Sequence, residues 1–589
     1  MHVGNKYMES EMYYTSERNV QILISLLKAH GIKRVIASPG TTNMTFVGSI
    51  QHDPFFEIWS SVDERSAAYL ACGIAGETGE PVVISCTGAT ASRNYMPGLT
   101  EAYYRKLPVL AVTSHRGEHQ IGHLLDQQID RRVIPNDVAV EHVTLPMVDS
   151  PDDEHFCEIE ANKAILALTL NGGGPVHINM YTRYSPDFSE KRLPPVRVIN
   201  RFTPYDKLPD MPDGKVGVFI GSHNNFTDTE TAAIDAFCAA NNSVVFCDHT
   251  SGYCGKYRVN SHLVCSQADY YSPMSQLDLM IQIGEISATA HASGRRVWRV
   301  SQDGAVRDTY RALTDIFMMD ETFFFRHYTP VNYQPSTELF GKFREEYRMV
   351  LDRIPELPFG NIWMAQQTAA RLPANSEVHM GIFNSVRSWS FFDFPQGVLG
   401  KCNVGGFGID GGISSMIGAS LVRPDKIFFG IFGDLAFFYD MNVLGNRHVG
   451  ENIRVLLINN ARGTEFRLRS HPCSIFGEDA DPYMAAAGHF GNQSPDLVRC
   501  YAASLGYKYM SASTKEEYLA NLDEFIDSTP CAQSIIFEVF TRTEDESEAL
   551  ELVRKAYQDK ATLQRRGLSV AVRKVIGKRG VETLKNLLK

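Results

Sequence analysis

The chain has 589 residues, 44% of them hydrophobic and 21% charged, with a formal net charge of −11. That length exceeds one core and suggests about three to four domains of an ordinary soluble globular kind. The acidic balance argues against a nucleic-acid partner, which would want a basic face. The eleven cysteines include no CxxC pair, so reduced thiols in a cytoplasmic protein are expected rather than disulfides or a zinc site. The opening "MHVGNKYMESEMYYTSERNV" carries no apolar signal-peptide core. The run "IFFGIFGDLAFF" is short and contains Asp434, which reads as a buried strand and not a membrane span.

Strands alternate with helical patterns from end to end, the signature of parallel α/β domains. "NVQILISLLKAHGI" reads as an amphipathic helix stopped by Gly31, and "RVIASPG" as a strand ending in a turn. "FFEIWSSVDERSAAYLACGIAGETG" reads strand, short turn, helix. "EPVVISCTGATASRNYMPGLTEAYYRKLPVLAVTSHR" reads strand, small-residue loop, helix, strand. The Pro-rich "SEKRLPPVRVINRFTPYDKLPDMPDG" reads as a linker. "KVGVFIGSHNN", "SVVFCD", "LDLMIQIG" and "RRVWRVSQD" are strands of a second unit. A third unit holds "KIFFGIFGDLAFFYDMNVLG" and "RVLLINNARG", with a helix expected over "YDMNVLGNRHVG". Val82 to Val109 is 27 positions and Ile427 to Val455 is 28. The first and third units therefore share a rhythm, although any βαβ unit gives similar spacing. The basic C-terminal stretch reads as a solvated helical tail.

Asp434 ends one apolar run, and Asn459 and Asn460 end the next. Right-handed crossovers make consecutive strands parallel, so these groups emerge at one carboxyl edge, where open sheets bind ligands. A carboxylate and an amide oxygen converging there suit Mg²⁺ and a substrate phosphate. Gly433 would let the backbone approach closely. Either dipeptide alone is an ordinary turn; the pair on consecutive strands points to a metal–diphosphate site.

Gly433-Asp434, some 26 residues, then Asn459-Asn460 resembles the diphosphate-binding motif of thiamine diphosphate (ThDP) enzymes. The resemblance implies three doubly wound parallel-sheet α/β domains. These are a pyrimidine-binding domain (1–185), a linker with a central Rossmann-like domain (186–350) and a diphosphate-binding domain (351–545), before the tail (546–589). It implies ThDP and Mg²⁺ as cofactors. Asp434, Asn460 and the carbonyl of Arg462 would hold the metal, with Gly433 and Leu435 beside the cofactor. Glu64, at a helix start in "SSVDERSAAYLACGIA", would hydrogen-bond the aminopyrimidine and activate it. As a first-turn acidic residue, Glu64 alone would be ordinary dipole complementation. Ile409 in "NVGGFGIDG" would prop the cofactor, and Asn384 and Ser385 in "GIFNSVRSW" would contact its diphosphate. The family pairs the first domain of one subunit with the third of another, so a homodimer or homotetramer with active sites at the subunit interface is implied.

Within that family the third-domain motifs are most similar to the SEPHCHC synthases of menaquinone biosynthesis, through "GIDG", "GDLAFFYDMNVL" and "NNARGTEF". Two substrate arginines of those enzymes are replaced here by Thr42 and Val404, which speaks against a bulky polyanionic substrate. Arg387, Arg116 and Arg93 remain as carboxylate anchors. In "GEHQIGHLLDQQIDRR" the histidine pair of simple decarboxylases is replaced by Asp126 and Gln127. Gln127 would contact the bound intermediate, and His119 and His123 would act as acid or base. The expected activity is decarboxylation of a pyruvate-like 2-oxo acid, with addition of the resulting enamine to a carbonyl acceptor. Three alternatives stay open: a non-ligating decarboxylase, an acetolactate-synthase-like enzyme with a structural FAD, and a non-catalytic ThDP-fold binding protein. FAD is not favoured, because one glycine turn in "VFIGSHNN" is generic.

Overall fold

The computed structural model describes residues 13–268, 270–289, 292–489, 494–528 and 533–557. The chain forms two compact units, one of residues 1–207 with 303–318, the other of 208–302 with 319–589. The tail beyond 557 and the opening twelve residues lie outside the described residues.

In the first unit, strands β1 (Arg34–Ala37), β2 (Glu57–Ser60), β3 (Val82–Cys86), β4 (Val109–His115), β5 (Glu141–Leu145) and β6 (Val176–Tyr181) form a sheet of order β2-β1-β3-β4-β6-β5. Every pairing in it is parallel. Helices Arg18–Ala29 and Pro151–Ala167 pack into one apolar cluster, and Glu64–Thr78 and Met96–Arg105 into another. With both faces covered, β3 and β4 are buried along their whole length, which is why they read as continuous apolar runs. The Pro-rich stretch expected as a linker contains strand β7 (Asn200–Phe202), which pairs in parallel with a later strand of the same unit, β13 (Leu313–Phe317). "VINRF" lies between the prolines and keeps its backbone donors, so local composition did not prevent pairing.

In the second unit, β8 (Val216–Ile220), β9 (Val244–Cys247), β10 (Arg258–Asn260), β11 (Leu277–Ile283) and β12 (Gly294–Val300) lie in the order β10-β9-β8-β11-β12. The last sheet contains β14 (Ser376–Met380), β15 (Leu399–Lys401), β16 (Ile427–Gly433), β17 (Ile453–Asn459), β18 (Lys508–Ala512) and β19 (Ile535–Phe540). Its order is β15-β14-β16-β17-β19-β18, again wholly parallel. Taken in order of appearance, the first and last sheets both run second, first, third, fourth, sixth, fifth. The shared rhythm in the sequence thus reflects one architecture used twice. In each, the order reverses beside the first and third strands, the switch point at which such sheets open a ligand crevice.

The helix expected over "YDMNVLGNRHVG" begins earlier, as Asp434–Asp440, and tightens into a 3₁₀ turn over Met441–Gly445. Asn and Gly are weak helix formers, and Asp440 turns its carboxylate onto the amide and hydroxyl of Ser414. The described cysteines are all free. Among the described residues no helix is long and apolar enough to cross a membrane.

Candidate active site

In the second unit, Asp434 is the first residue of the helix after β16 and is only 3% exposed. Its Oδ1 accepts from the Leu435 amide at 2.7 Å, and its Oδ2 from the amides of Asn460 at 3.2 Å and Arg462 at 3.1 Å. Burial pushes its carboxyl up to about 6 despite these amides. The twin asparagines at the end of β17, Asn459 its last residue and Asn460 the next, differ. The Asn459 amide nitrogen donates to the fully buried Glu538 at 2.8 Å. Asn460 Oδ1 is buried with no hydrogen-bond partner among the described residues. Ala461, between Asn460 and Arg462, has φ +63°, an uncommon conformation for a residue other than glycine. Gly433 has φ −71°, and a Cβ there would meet nothing within 4 Å. Neither backbone strain nor internal packing requires that glycine, so it leaves open space beside Asp434.

On the neighbouring edge, Ser385 is buried and Asn384 half-buried at the start of helix Asn384–Trp389, following β14. Arg387 is engaged by Glu465 through two bonds of 3.0 and 2.9 Å, so its charge is already matched. Ile409 is half-buried, and Val404 is buried. Among the described residues, no group of three or more His, Cys, Asp or Glu side chains is arranged to hold a metal. A set of one carboxylate, one amide oxygen and a carbonyl falls outside that description.

In the first unit, a cavity of about 290 Å³ opens beyond the carboxyl ends of the strands. It brings together Thr42 after β1, Glu64 after β2, Thr87–Ala91 and Asn94 after β3, Ser114 and His115 at the end of β4, and Arg116 and Gln127–Ile129 after it, with Arg131 and Tyr184. Glu64 begins helix Glu64–Thr78 because Asp63 takes the N-cap, accepting from the Arg65 amide. Its half-buried carboxylate accepts from Asn94 at 3.2 Å. The Thr42 hydroxyl is buried against that of Ser114. Arg116 donates to Tyr184 and Asp126, and Arg93 to the Asp130 carbonyl. Gln127 lines the cavity from an exposed position with φ +56°. His119 and His123 are exposed on the same loop and do not line this cavity.

Sequence reasoning missed three side chains here. His115, Gln128 and Arg131 all line the cavity, and each carries a buried polar atom (Nε2, Oε1 and Nε) without a hydrogen-bond partner among the described residues. The only signal was their position, at the end of an apolar strand and in the loop that follows it.

Comparison with known proteins bears on both halves. A family described as "Thiamine pyrophosphate enzyme, N-terminal TPP binding domain" matches residues 18–134. Three similar relatives are each named 2-succinyl-5-enolpyruvyl-6-hydroxy-3-cyclohexene-1-carboxylate synthase. The one from Bacteroides fragilis is 28% identical over 91% of this chain and 98% of its own length. Those from Phocaeicola vulgatus and Flavobacterium johnsoniae are 29% and 26% identical, covering 91% and 90% of this chain and 98% and 97% of their own. The chain is a thiamine diphosphate-dependent enzyme. It is of the 2-oxo acid decarboxylase/carboligase type, and its three parallel-sheet layers are those of the ThDP-enzyme fold. The residues of the second unit fit the diphosphate end of that cofactor. Asn460 has a buried oxygen left over, Asp434 a buried charge held only by backbone amides, and Gly433 free space. For a flavin the turn after β8 offers less, because a Cβ on Gly221 would lie 2.0 Å from the Glu285 carbonyl oxygen. That glycine is explained by the chain's own packing.

Proposed function

We propose that this ThDP enzyme is a Mg²⁺-dependent carboligase that removes CO₂ from a pyruvate-like 2-oxo acid and transfers the remaining acyl unit to a carbonyl acceptor. The observation that carries the metal assignment is the buried Asp434 carboxylate beside the buried, unpartnered Asn460 Oδ1. These two oxygens and the Arg462 carbonyl would hold Mg²⁺ and the diphosphate, with Asn384, Ser385, Gly433 and Leu435 lining the cofactor and Ile409 propping it. Bound ThDP would supply a nucleophilic carbon and an electron sink for the bonding pair left behind when CO₂ departs. Glu64 would hold a proton at the aminopyrimidine, and its partner Asn94 orients it. Gln127 would position the substrate, with His119 or His123 exchanging protons once the site is assembled.

A homodimer or homotetramer is part of this reading, with the first domain (1–185) of one subunit paired with the third (351–545) of another at the subunit interface. Its support is the exposed apolar residues flanking Glu64: Trp59, Val62, Tyr69 and Leu70, of which Val62 is 82% exposed. Surfaces of that kind mark association sites. The relatives' product, by name, is a ring carboxylate bearing succinyl and enolpyruvyl groups. Position 42 here is a small hydroxyl turned onto Ser114, and position 404 a buried valine. Both support a smaller substrate pair than that of the relatives.

The test is product analysis from pyruvate with Mg²⁺ and ThDP, with and without an aldehyde acceptor, in the wild type and in Glu64→Gln. The expected result is an acceptor-dependent hydroxyketone, with turnover reduced about 10²–10⁴-fold in the variant. Wild-type turnover in Glu64→Gln would remove the activating role. Free aldehyde as the product, with or without acceptor, would make the enzyme a simple decarboxylase.

A further inference from the structure

The loop after β4 carries a cation that the chain does not neutralise. Arg131 is 2% exposed and donates to three neutral acceptors, each at 2.7 Å: Thr113 Oγ1, the Ser114 carbonyl and Asn179 Oδ1. No carboxylate lies within ion-pair distance of it among the described residues. The two acidic residues of its own loop nearest to it in sequence are engaged elsewhere, Asp130 by Arg132 and Asp126 by Arg116. The cavity's one carboxylate, Glu64, accepts from Asn94. The histidines behind Thr113 add no negative charge either. His177 Nε2 lies 2.6 Å from Thr113 Oγ1, and His177 Nδ1 lies 2.8 Å from His142 Nδ1. A guanidinium only donates, so Thr113 accepts from Arg131 and gives its own proton to His177. His177 then donates to His142, and burial keeps both rings neutral. A buried guanidinium surrounded by neutral groups is costly, and an anionic ligand would complete it.

A second donor shares the cavity. The Gly117 amide donates to His115 Nδ1 at 2.8 Å, which fixes the proton on Nε2. That Nε2–H is buried without a partner, as is Arg131 Nε–H. The ring itself is 5% exposed and stacks on Tyr181, and burial pushes it down to about 4, so it donates as a neutral imidazole.

We propose that Arg131 and His115 form a carboxylate-binding subsite in the Glu64 cavity and that its ligand is the carboxylate of an acidic carbonyl acceptor. The assignment to the acceptor rests on the carboligase reading and on one physical point. A cation holding the carboxylate that leaves as CO₂ would stabilise the ground state over the transition state and slow that step. The carboxylate held here is one that stays in the product. Gln128, whose side-chain oxygen is also buried and unpartnered, accepts from a hydroxyl of the same ligand.

The test is calorimetric titration of the intact protein with butyrate, its neutral isostere butyramide, and inorganic phosphate. It is paired with turnover on succinic semialdehyde against butanal as acceptors. The expected result is saturable butyrate binding, absent for butyramide, weakened at least tenfold in Arg131→Gln and in His115→Phe. His115→Phe keeps a ring against Tyr181 and removes the Nε2 donor together with the acceptor of the Gly117 amide, so it tests the subsite alone if Arg131→Gln does not fold. Glu64→Gln lowers turnover about 10²–10⁴-fold and leaves butyrate binding intact. Succinic semialdehyde is preferred over butanal at least tenfold in kcat/KM, and His115→Phe erases the preference. Butyrate binding unchanged in both variants overturns the subsite, as does phosphate binding as tightly as butyrate. Variant-sensitive butyrate binding without ThDP-dependent turnover supports the subsite and instead overturns the carboligase reading.

Discussion

Asp434→Asn separates a metal-holding carboxylate from a structural one. Raising that carboxyl from an ordinary 3.8 to about 6 costs the cofactor-free protein roughly 3 kcal/mol at neutral pH, at about 1.36 kcal/mol per pH unit. The neutral amide removes this cost. It keeps one oxygen to accept from Leu435 and loses the longer bonds from the Asn460 and Arg462 amides. Two buried amides left without an acceptor cost about 1–3 kcal/mol each. The opposing effects largely cancel, and the variant is expected to stay within about 3 kcal/mol of the wild type in urea unfolding without cofactor. Binding of Mg²⁺ and ThDP, followed by calorimetry, has no such compensation and is expected to weaken at least 100-fold, about 2.7 kcal/mol. Wild-type cofactor affinity together with a loss of several kcal/mol in stability would refute the reasoning and make Asp434 a turn-stabilising residue.

The twin asparagines are expected to behave oppositely. Asn459→Ala strips the buried Glu538 of a partner and destabilises by about 2–4 kcal/mol, whereas Asn460→Ala, which removes an unpartnered oxygen, leaves melting unchanged and weakens Mg²⁺–ThDP binding. Gly433→Ala meets no internal atom, so thermal stability stays within about 0.5 kcal/mol while ThDP affinity falls; equal affinity would mean that the space beside Gly433 is not the cofactor's. Glu546 is buried, accepts from Asn361 and Thr541, and is pushed up to about 7 by burial from an ordinary 4.5. Its folded state retains the proton that the unfolded state releases, so stability falls as pH rises from about 4.5 to 7 and is flat above. Glu546→Gln is expected to gain about 1–3 kcal/mol on the wild type at pH 8 relative to pH 5, as measured by unfolding at both pH values.

The parallel α/β class and the cofactor were legible because both are written locally. A strand buried on both faces must be a continuous apolar run, and a carboxylate directly after such a run, as Asp434 follows β16, has few structural uses. Glu64 was legible for the same reason, at a helix start after a strand. The reuse of one strand order in two sheets was only hinted at, since spacing gives neighbouring strands and not their order across the sheet. Strand β7 was hidden because its partner β13 lies more than 100 residues away in the chain, and prolines on either side dominate the local pattern.

What the sequence by itself determined is where its short motifs lie: Asp434 and Asn460 just past consecutive strands, and Glu64 at a helix start. What only the tertiary structure decided is which polar groups are already engaged. Arg387 looked like a free anchor and is bound by Glu465, whereas Arg131 and His115 looked ordinary and keep buried donors unpaired. The physical reason is that a side chain's availability depends on every partner folded against it. Thr113, Asn179 and Tyr181 reach Arg131 and His115 across the sheet, over sequence distances that no local pattern records.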